Sequence, residues 1–262
     1  HPSKIVNIYI PKNKYTKINE LIDSIAEHRR ESRNACTTLD GAISAIYLGT
    51  MQKSITVNAI PLDNPTYTIV IDAGHGEPDG GAISSNGVKE SDINLIIAKE
   101  LEKELDDLGY KIIMTREDEY NIADDDKQGT LRKMKASDLA NRVKIVNESD
   151  ADLCISIHEN KFASSKYYGW QTFYNKNSEY NKILAEKIQE SMSNNINREN
   201  NRVALSIKDI KLTDESKIPT VIVECGFLSN PEDLRLLQTK EYRAQLINGI
   251  IDGIEEYYKE IY

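Results

Sequence analysis

Short apolar runs rich in β-branched residues recur from Thr66 onward, separated by segments of helical period, and that alternation confines this part of the chain to an α/β fold. Tyr67-Thr-Ile-Val-Ile71 leads directly into Asp-Ala-Gly-His75-Gly, and a helix is expected from about Ser91 with Ile93, Ile97, Leu101, Leu105 and Leu108 on one face, stopped by Gly109. Further strands are expected at Lys111–Thr115, Leu153–Ile157, Trp170–Tyr174 and in the apolar run from Pro219 that ends at Glu224. Further helices are expected at Ser137–Ser149, with Leu139, Val143 and Val146 inward, at Tyr180–Met192, and from about Glu241 to Tyr258. Strands joined by helices of this length predict a single mainly parallel twisted sheet with helices on both faces.

Residues 1–65 read differently, as an N-terminal extension. They offer a strand-like Ile5–Ile10, a helical Lys17–Ala26 and a charged, mixed tract, closed by the punctuation of Pro61 and Pro65. The catalytic domain is expected over 66–262. A length of 262 residues suits one medium α/β domain with an extension and excludes two large ones. Ala42–Thr50 is apolar but too short to cross a bilayer, which takes about 20 residues. It reads either as the core of a secretory signal, with Arg29, Arg30 and Arg33 upstream and Val57–Ala59 as a cleavage site, or as a core helix. The chain starts at His1, so membrane contact is expected only through a removed or altered N-terminus.

With 33 Lys+Arg against 42 Asp+Glu the formal net charge is −9, which argues against nonspecific binding to nucleic acid or anionic lipid. Cys36, Cys154 and Cys225 lack CxxC spacing, so no zinc ribbon, redox pair or disulfide framework is implied. Cys225 has no flanking His or basic residue to stabilise a thiolate and reads as a small hydrophobe.

The chemistry gathers at strand ends. His75 follows the first core strand on a Gly-flanked loop, and His158 follows Cys154-Ile-Ser-Ile157 in the same way. Either alone would read as a satisfied polar residue, but two histidines delivered to one sheet edge suggest a zinc site of the His2Glu type. Glu90, where the loop from His75 enters the helix, is the best third ligand, although an acid is also favoured there by the helix dipole. Glu77, Asp79 and Glu159 are rivals. Glu224 would be costly if it faced only a core. Beside zinc, which lowers the pKa of water to about 7, a carboxylate is needed to take the proton and pass it to a leaving amine. The bland alternative pairs Glu224 with Arg142 or Arg235.

Six motifs in order, Ile-Asp-Ala-Gly-His75-Gly, Gly-Val-Lys-Glu90, Thr115-Arg-Glu, Asp138-Leu-Ala-Asn-Arg142, Ser-Ile-His158-Glu-Asn160 and Val-Glu224-Cys-Gly-Phe-Leu-Ser-Asn, resemble the zinc-dependent N-acetylmuramoyl-L-alanine amidases from about Thr66 to the C-terminus. Tyr168–Tyr174 and Glu224–Glu232 are most similar to the spore-cortex branch of endospore formers. The resemblance implies zinc on His75, Glu90 and His158, Glu224 as acid/base, and hydrolysis of the amide between N-acetylmuramic acid and L-alanine in peptidoglycan. It also implies action on the cell-wall side of the membrane, in cortex maturation through muramic-δ-lactam formation. Control is expected from an accessory or regulatory protein, from residues 1–65 or from metal occupancy. Asn160 and Arg142 are assigned to orienting substrate or supporting the metal shell. Glu77 and Glu159 depart from the family pattern and are expected to add negative charge near the metal. The competing readings are a zinc carboxypeptidase-like peptidase and a noncatalytic peptidoglycan-binding module with structural zinc.

Overall fold

The computed structural model describes residues 67–124 and 129–262 and, before them, the backbone of four strands. The chain divides into two compact units, His1–Thr66 with Asp107–Gly109, and Tyr67–Asp106 with Tyr110–Tyr262. In the first, β1 (Lys4–Pro11) pairs in parallel with β4 (Ile55–Leu62), and β2 (Ala35–Thr37) pairs antiparallel with β3 (Ile46–Leu48). The strand expected at Ile5–Ile10 falls within β1. The helix expected at Lys17–Ala26 lies outside the described residues. Where Ala42–Thr50 is described it is strand rather than the core helix considered, as Ile-Tyr-Leu prefers a pleated backbone.

The second unit is built on six strands: β5 (Thr68–Ala73), β6 (Lys111–Met114), β7 (Leu153–Asn160), β8 (Gln171–Tyr174), β9 (Leu205–Ser206) and β10 (Thr220–Phe227). Their order is β6-β5-β7-β10-β8-β9. The sheet is mostly parallel, as expected, but mixed, since β8 runs antiparallel to β10. Ile69–Ile71, Leu153–Ile155, Val221 and Val223 are fully buried, as strands covered on both faces should be. From β5 the chain adds β6 on one side and returns to place β7 on the other. The topological switch point therefore lies between the carboxyl ends of β5 and β7, where α/β sheets open a crevice.

The helices among the described residues are α1 (Glu90–Asp107), α2 (Leu131–Glu148), α3 (Glu179–Asn195), α4 (Lys211–Glu215), α5 (Pro231–Leu237) and α6 (Lys240–Ile261). None is long and apolar enough to cross a membrane. The α2 helix begins six residues before the expected start because Thr130 caps it, its side-chain oxygen accepting from the Lys133 amide. Leu139, expected inward, is 38% exposed. The helix is rotated so that Asp138 and Arg142 face the sheet beside Val143 and Val146, and a buried ion pair displaces one apolar position of the stripe. The α5 helix is hidden in what reads as a turn: Asn230 accepts from the amides of Glu232 and Asp233, and Pro231 opens the helix.

Candidate metal centre

His75 leaves the end of β5, His158 projects from β7, and Glu90 is the first residue of α1; together they bring three potential ligand atoms within 4.8 Å of one another. Glu90 is buried between the rings. Its Oε1 lies 2.8 Å from His158 Nδ1 and 3.3 Å from His75 Nε2, and also accepts from the Glu159 amide. Its Oε2 accepts from the Ala82 amide at 2.7 Å. Burial opposes the Glu90 anion, but the two histidines outweigh it and hold the carboxyl well below its ordinary range. His75 carries the reciprocal effect: burial would lower it, while Asp79 and Glu90 raise it to about 9.

Backbone shape makes room for these rings. A Cβ on Gly74 would lie 2.3 Å from the imidazole of His158, and one on Gly81, which has φ +66°, would lie 2.5 Å from Glu90 Oε2 and 2.7 Å from His75 Cδ2. His75 itself has φ 62°, a left-handed conformation that needs support from its surroundings. The support is a buried polar network. Arg142 donates to the carbonyls of Ala73 and His75 and to the carboxylates of Asp72 and Asp138. Arg116 donates to the carbonyls of Ala73, Gly74 and Ser91. Asp72 also accepts from Thr115 and Ser156; burial works against its charge, yet Arg142 and these hydroxyls hold it down to about 2. Arg142 thus anchors the turn that presents His75, and its contacts are with protein groups rather than the open cleft.

The rival acids face elsewhere. Asp79 Oδ2 accepts from His75 Nδ1 at 2.9 Å and its Oδ1 meets Lys135 Nζ at 2.8 Å, so it orients the ring from behind. Glu77 pairs with Lys89, which offsets the charge that this departure was expected to add. Glu159 alternates with His158 along β7 and so lies on the opposite face of the sheet. There it is buried with neither oxygen hydrogen-bonded. Burial, then Glu224 and Glu90, push its carboxyl well up, which disfavours the negative charge expected of it.

Glu224 stands directly across from His158 in the β7/β10 register, on the face that carries the three donors. It pairs with neither Arg142, which is engaged by Asp72 and Asp138, nor Arg235, which binds Glu232. Its Oε2 is buried without a hydrogen-bond partner, and burial, reinforced by Glu90 and opposed by the imidazoles, raises it to about 7. A profile of the N-acetylmuramoyl-L-alanine amidases matches residues 69–256, which spans all four of these side chains.

The chain belongs to the N-acetylmuramoyl-L-alanine amidase family. It is 38% identical over 192 residues to the germination-specific N-acetylmuramoyl-L-alanine amidase of Bacillus subtilis, covering 73% of this chain and 80% of that protein. LytC of the same organism is 31% identical over 216 residues, 81% of this chain and 40% of LytC. Among solved structures, the CwlD amidase from Clostridioides difficile, in complex with the GerS lipoprotein, superposes with a TM-score of 0.72 at 38% identity over 74% of this chain and 99% of CwlD. An N-acetylmuramoyl-L-alanine amidase from Clostridium difficile 630 gives 0.65 at 28% identity, over 74% and 97%. The protein is a peptidoglycan amidase, a hydrolase of the bond between N-acetylmuramic acid and L-alanine.

Other residues of the amidase fall outside the cluster. Asn160 turns its side-chain oxygen onto the Lys161 amide. Cys154 and Cys225 are free and buried, and burial raises both thiols well above their ordinary value, which disfavours a thiolate. Arg116 and Asp72 were not singled out as site residues from sequence, and Asp79 was considered only as a rival ligand rather than as the group that orients His75. The signal that could have found Asp79 is its place four residues after His75, a carboxylate within reach of a candidate ligand.

Proposed function

We propose that the amidase works with zinc held by His75, Glu90 and His158, with Glu224 as its proton-transferring group, and that it serves spore-cortex maturation. The observation that carries this is the convergence of two imidazoles and a carboxylate within 4.8 Å, beside an acid whose buried oxygen has no partner. The donor set fits zinc: two nitrogens and an oxygen from separate elements, with His75 oriented through its other nitrogen by Asp79. Bound zinc would supply a Lewis acid for the scissile carbonyl and lower the pKa of water. The chain's own residues do the rest. Glu224, raised to about 7, is poised to accept a proton from the attacking water and return it to the departing alanine nitrogen. Arg142 and Arg116 fix the His75 turn, which keeps the donors in place without help from substrate.

The cortex role is supported by the likeness to a germination-specific amidase and to CwlD. The complex of CwlD with the GerS lipoprotein supports an accessory protein for this chain as well, and the likeness to a germination-specific amidase supports work on the cell-wall side of the membrane. The catalytic unit begins near Thr66, with residues 1–65 as an extension.

Metal analysis of the purified protein, combined with mass spectrometry of digested cortex peptidoglycan, tests cofactor and bond together. One equivalent of zinc and released peptides beginning with L-alanine are expected. Free terminal amino acids would point to a carboxypeptidase instead, and metal without any release to a binding module.

A further inference from the structure

Beyond the catalytic cluster, the same strand ends carry a contiguous aromatic surface. Phe162 is 47% and Tyr167 49% exposed, with ring centroids 5.0 Å apart in an edge-to-face arrangement. Both lie against Phe227, which is buried: Phe162 at 5.5 Å and Tyr167 stacked at 6.3 Å, so Tyr167 shows its other face to solvent. Large apolar side chains scattered singly on a surface need no explanation, whereas a contiguous group beside a catalytic site does. The segment that carries it is tied down along its length. The Phe162 amide donates to Ser229 Oγ, Asn230 Nδ2 to the Ser165 carbonyl, and the Gly169 amide to Asp233.

We propose that Phe162 and Tyr167 form a glycan subsite, a ledge on which a pyranose ring of the peptidoglycan strand stacks beside the cleft. The inference rests on the amidase reading for the nature of the polymer. Two arginines near the ledge are already engaged, and Lys161, beside Phe162, donates to the Ile83 carbonyl. Arg202 lies over the Phe227 ring and donates to the Tyr168 carbonyl and Gln171, while Arg198 lies over Tyr168 and pairs with Asp233. The ledge itself presents ring faces, with the exposed Lys166 at its rim. It suits the apolar C–H face of a sugar, with hydroxyls pointing away, better than the acidic side chains of a stem peptide. Phe227 follows Glu224 by three residues within β10, so at the strand rise the ledge starts roughly 10 Å from Glu224. A muramoyl ring whose lactyl amide occupies the cleft does not extend that far. The stacked ring belongs to a neighbouring sugar of the same strand, and the ledge selects for a polymer over a single muramyl peptide.

The test uses the full-length, zinc-loaded protein with two substrates, peptidoglycan strands bearing stems and muramyl dipeptide. Its binding probe is glycan strands stripped of their peptides. In the double variant Phe162→Ala/Tyr167→Ala, KM on the strands should rise about tenfold, a change of about 1.4 kcal/mol, with kcat retained. Muramyl dipeptide turnover should not change, and affinity for stripped glycan should fall by a similar factor. The pair Phe162→Tyr/Tyr167→Phe should restore both. Equal loss on both substrates, or unchanged glycan affinity, overturns the ledge. Should the alanine variant not fold, saturation-transfer NMR from wild-type aromatic protons to stripped glycan decides, and absence of transfer counts against the proposal. A wild type that binds stripped glycan but releases no peptide from either substrate would sink the amidase reading and leave the ledge standing.

Discussion

Strands β7 and β10 carry two pairs of neighbouring residues with opposite fates: His158 and Glu224 on the cleft face, Glu159 and Cys225 on the face beneath. Glu159 and Glu224 are both acids that burial pushes upward, and both have unpartnered oxygens. They differ in company. Glu224 faces two imidazoles and Glu90, whereas the charged neighbours that act on Glu159 are all acids. Burial makes a carboxyl reluctant to ionise, but only a cleft with positive neighbours brings it to about 7, where it can both take and give a proton.

The sharpest way to break this comparison is Glu224→Gln. The proposed role requires a loss of about 10²–10⁴ in kcat with metal retained, read by turnover and metal analysis on the same sample. Near-normal turnover would move the proton transfer elsewhere. Next comes Gly74→Ala, whose added methyl would press on the His158 ring at 2.3 Å. It should cut activity about 10²-fold and weaken metal binding without altering a proposed ligand. A variant that binds metal as tightly as wild type would show that the ring can shift freely. Asp79→Asn keeps the shape but removes the charge behind His75, and metal affinity measured by competition with a chelator should fall about tenfold.

The smallest effect on activity belongs to Glu159→Gln, which replaces an acid whose charged form burial disfavours with a neutral amide and should leave turnover within about twofold. Its signature is in stability. The folded-state pKa of Glu159 lies above the ordinary 4.5, so its contribution is fully present below about pH 4.5 and is lost as pH rises toward the folded value. Thermal melts of Glu159→Gln should match wild type near pH 4 and exceed it in the alkaline range. A wild-type excess there would mean that Glu159 is ionised and satisfied.

Much of the cleft face was legible because its residues punctuate runs with a clear period. His75, His158 and Glu224 each end or follow a buried apolar strand, and Glu90 opens a helix, so position alone marked them. Of the network behind them only Arg142 was marked, through the family resemblance, and its partners were not legible. Arg116 and Arg142 reach residues 42 to 70 positions away, and no local pattern encodes such pairing. Leu139 misled for the same reason, since the phase of α2 is set by the Asp138–Arg142 pair rather than by its apolar residues. The antiparallel course of β8 also escaped, because strand direction depends on connections that composition does not record.

Glu90 has both carboxylate oxygens held by main-chain amides, from Ala82 and Glu159, in addition to its two imidazole contacts. The protein thus assembles its receptacle from internal bonds, so that loading the proposed zinc would be a docking event rather than a folding event. Supply of the proposed ion would then come last, and a chelator should empty the site without melting the fold that surrounds it.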